Sequence, residues 1–487
     1  NRNNNTISKL LQCVDADGAM EHLEAFQQIA DENGGNRAAG LPGYEASVDY
    51  VVETLEAAGW NVSIDTFDFT FVGPSTLTQL TPGSPVDYPT GPFTGSGPGN
   101  VTAAVTPVDV QLTTPNANTS GCDVTDFAGF PAGNIALIQR GACDFSVKAL
   151  NAQAADAAGV ILFNAGDDAE DPSRFNLIVG TLGASEVVDI PVVGASFEQG
   201  VALAQAGSTA RVFVPEPESR PQKNVIAELP GKNTNNVVMA GAHLDSVQAG
   251  PGINDNGSGS ASLLEVAQNL SKLKPENTVR LAWWGAEEAG LLGSQAYVDG
   301  LTQAEKDRIA LYLNFDMVAS PNYIFMIYDG DETTFEAPVV VPEGSVQIED
   351  LFESYFTSVG QPYDDAEFSG RSDYEAFILE GIPAGGLFTG AEVPKTELQE
   401  SIWGGVAGES YDQCYHQACD TLANVNLEAL DVNIDAIALA VLAYSYSTES
   451  VNGVVGKNIP GGLSLPAPVG EEGTTGSDGG HSHGDVE

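Results

Sequence analysis

The sequence predicts an α/β protein whose central sheet carries helices on both faces, and three observations predict it. Beyond Pro221, apolar runs at 237–242, 279–284, 310–315 and 323–328 alternate with helical patterns, as buried strands and crossover helices do. Residues 44–59 place Val48, Val51, Val52 and Leu55 at i, i+3, i+4 and i+7, and 258–273 aligns Leu263, Val266, Ala267 and Leu270. Both are amphipathic-helix spacings. Finally, three of the apolar runs are followed within three residues by His, Asp or Glu, and in such sheets functional side chains collect beyond the carboxyl ends of the strands.

The elements follow in order. A Gly-bounded turn at 40–43 opens the first of these helices and Gly59 closes it. Alternation over 62–71 predicts a strand, and the Gly/Pro/Thr-rich stretch 73–107 reads as irregular structure or a boundary. Strands are expected at 135–138, 160–163 and 191–193, with a helix at 145–158. The resulting division is an α/β domain from 1–72 and 221–450, an insert at 73–220, and a tail at 451–487. The tail is rich in Gly, Pro and acidic residues, ends near Gly479-Gly480-His481-Ser482-His483, and is expected to be disordered.

Charge narrows the partners. Against 67 acidic residues stand 18 Lys and Arg, a net charge of −49, which disfavours nucleic acid and anionic membranes. It also suits a saline medium, where salt screens self-repulsion. The longest strongly apolar stretch, 437–444, is far shorter than the roughly 20 residues of a membrane span. The start is polar and has no signal peptide, so an exported form is expected to begin after processing. Of five cysteines, Cys122 and Cys143 share one segment and Cys414 and Cys419 lie five apart. Two local disulfides in an oxidising compartment are expected, leaving Cys13 unbridged.

Five histidines occur: two in the tail, His22 beside Glu21 in an expected surface helix, and His243 and His416 in loops with acidic neighbours. His243-Leu244-Asp245, Glu287-Glu288 and Asp316 each follow an apolar run, and Asp255 precedes a helix. Two imidazoles with several carboxylates suit zinc. Glu287-Glu288 as an exposed acidic turn is the plainer alternative, disfavoured by its place directly after a buried run.

Two resemblances sharpen this. The segment Arg140-Gly141-Ala142-Cys143-Asp144-Phe145, with Lys148, Asn151-Ala152 and the run 157–165, resembles the protease-associated domain, a small module rich in β-strands inserted in extracellular peptidases. That likeness implies a lid or access role and no catalytic residue. Residues 221–448 carry HLDSV, GINDNGSG, WWGAEEAGLLGS, NFDM and YHQACDT in that order, with Gly34-Gly35-Asn36-Arg37 ahead of the 44–59 helix. They resemble the co-catalytic di-zinc metallopeptidases of secreted bacterial and vacuolar aminopeptidases.

The second likeness implies a mixed sheet and two Zn(2+) ions per chain. Asp255 would bridge the ions, with Glu288 and His416 on one and His243 and Asp316 on the other. Glu287 would be the general base, Asp245 would orient His243, and Tyr415 would hydrogen-bond the oxyanion, unless it only packs against its loop. Arg371, Met317 and Phe388 would shape the site for a free N-terminus and a large hydrophobic first residue, Arg371 pairing with Asp373 being the simpler reading. The implied protein is a secreted, monomeric aminopeptidase acting on peptide N-termini. A glutamate-releasing di-zinc carboxypeptidase would need a helical dimerisation domain for which the chain after Ala436 has no room. A non-catalytic receptor-like relative would have lost ligands, yet all five and Glu287 are present.

Overall fold

The structure, a computed structural model, describes residues 3–183 and 187–469. The chain divides into two compact units, one built from residues up to Phe69 and from Arg220 onward, the other from Thr70–Ser219. In chain order the strands are β1 (Asn61–Phe71), β2 (Thr76–Thr81), β3 (Val86–Tyr88), β4 (Gly99–Pro107), β5 (Ile135–Gln139), β6 (Gly159–Phe163), β7 (Val192–Ala195) and β8 (Thr209–Val214). They continue as β9 (Glu218–Leu229), β10 (Asn233–His243), β11 (Asn277–Trp284), β12 (Ile309–Phe315), β13 (Met326–Tyr328), β14 (Asp364–Ala366) and β15 (Ala384–Phe388).

The first unit holds an eight-stranded sheet in the order β1-β9-β11-β10-β12-β15-β13-β14. β10 is parallel to β11 and β12, and β12 to β15, while β9 and β13 run antiparallel to β11 and β15. The sheet is mixed. Its central strands β11 and β12 are buried almost throughout, which is why they read as continuous apolar runs. The Pro42–Ala58 helix buries Tyr44, Val48, Val51 and Leu55. It starts two residues before the expected point because Pro42 has its φ pre-set for a first turn. Gly59, at φ 87°, ends it. Ala436 through Tyr446 of the Leu427–Tyr446 helix is buried on every side, and an all-round apolar helix belongs in a core.

The second unit carries a seven-stranded sheet, β3-β2-β8-β4-β5-β6-β7. The stretch expected to be irregular, 73–107, therefore contains three strands. Alternation there is masked because an inward position of β2 is polar: Gln79 is buried, and its Nε2 donates to the Ala202 carbonyl at 3.0 Å. The helix expected at 145–158 stops at Ala154.

Two further expectations fail. His22 is not on a surface: it is buried in the Ala16–Glu32 helix, its Nδ1 2.7 Å from the Tyr50 hydroxyl. Burial pushes its imidazole down to about 4. The described part of the expected tail, 451–469, is anchored rather than loose. Val451 and Ile459 are buried, and Lys457 Nζ lies 2.9 Å from Glu276. The rest of the tail, with His481 and His483, lies outside the described residues. Among the described residues no helix is long and apolar enough to cross a membrane.

Candidate metal centre

Parallel β10, β11 and β12 deliver the residues at and beyond their carboxyl ends to one end of the sheet. β10 ends on His243, paired in register with Trp284 at the end of β11. Glu287 and Glu288 follow β11, and Asp316 follows β12 directly. Asp255 sits in the buried turn Ile253–Ser258 that leads into the Gly259–Leu270 helix. His416 comes from the loop closed by the Cys414–Cys419 disulfide.

All five expected ligands and Glu287 converge. His243 Nε2 stands 3.3 Å from Asp255 Oδ1, 3.3 Å from Asp316 Oδ1 and 3.6 Å from Glu287 Oε2. His416 Nε2 stands 3.2 Å from Asp255 Oδ2 and 2.9 Å from Glu288 Oε2. Asp255 thus turns one oxygen to each imidazole, and each imidazole has its own second carboxylate. Ligating atoms of His243, Asp255 and Glu288, and those of His243, Glu287 and Asp316, lie within 4.8 Å of one another.

This donor set fits two cations. A single Nε2–H cannot serve three carboxylates, so the oxygens around His243 call for more positive charge than an imidazole supplies. The electrostatics agree. Burial would depress both imidazoles, but Glu287 and Asp316 hold His243, and Glu288 and Asp255 hold His416, well above the usual range. Burial and the neighbouring acids push the Glu287 carboxyl well up. For Asp255 the burial penalty is outweighed by its two histidines, and its carboxyl is held low.

The backbone is strained where the side chains must aim. Ala286, Met317 and His416 have φ of 56°, 50° and 57°, a region costing non-glycine residues about 1–3 kcal/mol each. Met317 is held by its N–H to Asn256 Oδ1 at 3.2 Å and by its carbonyl, which accepts the Thr389 N–H at 2.9 Å.

Asp245 lies at the other ring nitrogen of His243, where it was expected. His243 Nδ1 lies 3.1 Å from the Asp245 main-chain carbonyl and 3.6 Å from its carboxylate. A proton on Nδ1 leaves the Nε2 lone pair facing the cluster. The Asp245 carboxylate also accepts the N–H groups of Glu287 and Glu288 at 3.1 and 3.3 Å. Tyr415 stacks on His416 with ring centroids 3.9 Å apart. Burial and nearby acids keep its hydroxyl well above the usual range, so it remains a donor. Met317, Phe388 and Tyr415 lie in one buried apolar cluster. Arg371 pairs with Glu392, Nη2 to Oε1 at 3.1 Å, not with Asp373.

Sequence reasoning missed several neighbours. Ser372 donates to Asp316 Oδ2 at 2.6 Å. Asp420 accepts the N–H groups of Asn254 and Asp255, and Asp412 accepts Asn254 Nδ2 at 2.7 Å. Asp420 and Arg37 lay inside motifs already marked, whereas Asp412 carried no signal. The expected disulfides Cys122–Cys143 and Cys414–Cys419 are both present, and Cys13 is in neither.

A mixed α/β sheet that gathers two imidazoles and four carboxylates beyond its parallel strands defines an α/β metallohydrolase. Residues 224–441 match the model of peptidase family M28, and 101–203 match the PA domain. An aminopeptidase of Pseudomonas aeruginosa is 49% identical over 452 residues, covering 91% of this chain and 83% of its own. Leucine aminopeptidase 2 of Trichophyton equinum is 40% identical over 451 residues, covering 91% and 86%. A zinc aminopeptidase from Bacillus subtilis superposes with a TM-score of 0.66 at 25% identity, covering 88% of this chain and 94% of that one. The chain belongs to peptidase family M28 and carries a PA domain.

Proposed function

We propose that this chain is a zinc aminopeptidase that removes N-terminal residues, preferentially large hydrophobic ones, from peptides. The observation that carries the reading is Asp255, with one carboxylate oxygen turned to each imidazole. Two zinc ions would be held by His243 and Asp316 on one side, Glu288 and His416 on the other, and Asp255 between them. Bound there, zinc supplies Lewis-acid polarisation of the scissile carbonyl and acidifies water.

The chain's own groups do the rest. Glu287 accepts the proton of the attacking water and returns it to the leaving amine. Asp245 holds Glu287 and Glu288 in register through their N–H groups. The Tyr415 hydroxyl donates to the developing oxyanion. Glu287 and Asp316 set a negative field for the substrate ammonium, and Arg371 contributes indirectly by holding Glu392. Met317 and Phe388 wall the first-residue pocket, where each apolar contact discriminates by about 1–3 kcal/mol.

We assign catalysis to residues 1–72 and 221–450 and an accessory, access-controlling role to 73–220. Two disulfides support work outside the cell. The charge of −49 supports a monomer that avoids nucleic acid and anionic membranes.

The test is hydrolysis of a leucyl peptide, free and N-acetylated, with and without a chelator. The free peptide should be cleaved only without chelator, and the acetylated one scarcely at all. Equal rates on both would overturn the aminopeptidase reading.

A further inference from the structure

The Gly34-Gly35-Asn36-Arg37 segment ahead of the Pro42–Ala58 helix has no part in the chemistry above, yet Arg37 is fully buried. Among the described residues its guanidinium makes no carboxylate pair. Nε donates to the Pro251 carbonyl at 2.9 Å, Nη2 to the Gly252 carbonyl at 2.7 Å, and Nη1 to the Leu244 carbonyl. The Phe26 ring backs it at 4.9 Å. Its main-chain N–H donates to Ser246 Oγ at 2.9 Å. Gly43 makes this seat possible, because a Cβ there would meet the Asn36 carbonyl at 2.1 Å.

Asp420 grips the same span from the other side. Its Oδ1 accepts the Asn254 N–H at 2.8 Å, its Oδ2 accepts the Asp255 N–H at 3.0 Å, and its own carbonyl accepts the Ile253 N–H at 3.1 Å. The span 244–255 runs from the residue after His243 to Asp255. Residues 244–246 and 250–255 of it are buried and largely irregular, so their carbonyls and amides need partners from elsewhere. The cation takes the carbonyls and the carboxylate takes the amides. Asp420 also lies in the loop that carries His416, so it ties one histidine's loop to the carboxylate between the two.

We propose that Arg37 and Asp420 are positioning residues: together they clamp the 244–255 backbone and so fix Asp255 relative to His243 and His416. The clamp touches no substrate and ligates nothing. It sets how well the two metal sites are formed, and it rests on the two-zinc reading above.

The test uses the full chain and zinc competition against a chelating dye. In Asp420→Asn the amide nitrogen faces an N–H, donor against donor. In Arg37→Lys the charge survives but the planar fork whose three nitrogens each serve one carbonyl is lost. Each should weaken zinc binding at least about tenfold and lower kcat with KM little changed. Lys148→Met is the control. That lysine is a buried cation donating to the Ser120 carbonyl in the second unit, and its loss should lower Tm while leaving zinc affinity intact. If folded Asp420→Asn and Arg37→Lys proteins bind zinc as the wild type does, or if Lys148→Met weakens zinc equally, the clamp is refuted. A wild-type chain that takes up fewer than two zinc ions fails at the earlier step, and the clamp falls with it.

Discussion

Two places in the first unit crowd carboxylates together, and only one of them has imidazoles. At one end of the sheet, Asp255, Glu287, Glu288 and Asp316 surround His243 and His416. At the second place, Asp329, Asp331, Glu349, Glu353 and Asp365 meet between the end of β13, β14 and the Ser345–Val359 helix, and the group contains no histidine. There backbone amides do the work. Glu349 Oε2 accepts the N–H groups of Gly330 and Asp331 at 3.0 and 3.1 Å, and Asp329 accepts those of Thr333, Thr334 and Phe335. Burial and the surrounding acids push the Glu349 carboxyl up to about 9, so a proton neutralises it. The contrast shows what the first cluster adds for zinc: imidazole nitrogens beside the carboxylates, where the second offers oxygen alone.

The largest expected effect sits in the first cluster. Glu287→Ala should keep its zinc and its fold while kcat falls at least about a hundredfold. Glu288→Ala should lose zinc, because Glu288 is the carboxylate 2.9 Å from His416. Metal analysis of the two variants separates base from ligand. Zinc lost from the first and kept by the second would reverse the roles.

Smaller effects follow for the disulfides. Replacing Cys414 and Cys419 by Ser should lower activity more than replacing Cys122 and Cys143, since the first bridge closes the loop bearing Tyr415 and His416. Comparable losses in a leucyl-peptide assay would place the loop's rigidity elsewhere.

The second cluster predicts a stability effect without a catalytic one. The Glu349 pKa is raised in the folded chain from 4.5 to about 9. The folded state then binds a proton that the unfolded state has released, so stability is full below about 4.5 and falls as pH rises towards 9. Glu349→Gln removes that loss, and its Tm should exceed the wild type's by a margin that widens across this window. Zinc content should not change. A change in zinc content would make the two clusters alike.

The fold was legible where periodicity was clean. Buried runs at β10, β11 and β12, and the Val48-Val51-Leu55 stripe, reported directly on burial. It was illegible where polar groups point inward, as at Gln79 and His22, because each is satisfied by a distant partner that no local pattern marks. The site followed the same rule. Ligands at strand ends could be placed, since the sheet displays them. Ser372 and Asp420 hold the candidate ligands Asp316 and Asp255, and Asp412 holds Asn254 beside them, through long-range hydrogen bonds, which spacing does not encode. Arg371 shows a further limit: its partner is Glu392, twenty-one residues away, rather than the nearby Asp373.

The central claim is that Asp255 serves both metals while each histidine serves one. Zinc titration of the wild type, His243→Ala and Asp255→Ala tests it directly. The wild type should bind two zinc ions, His243→Ala should retain one of them tightly, and Asp255→Ala should lose high affinity at both. An Asp255→Ala protein that still binds two ions tightly, or a His243→Ala protein that loses both, would contradict the account.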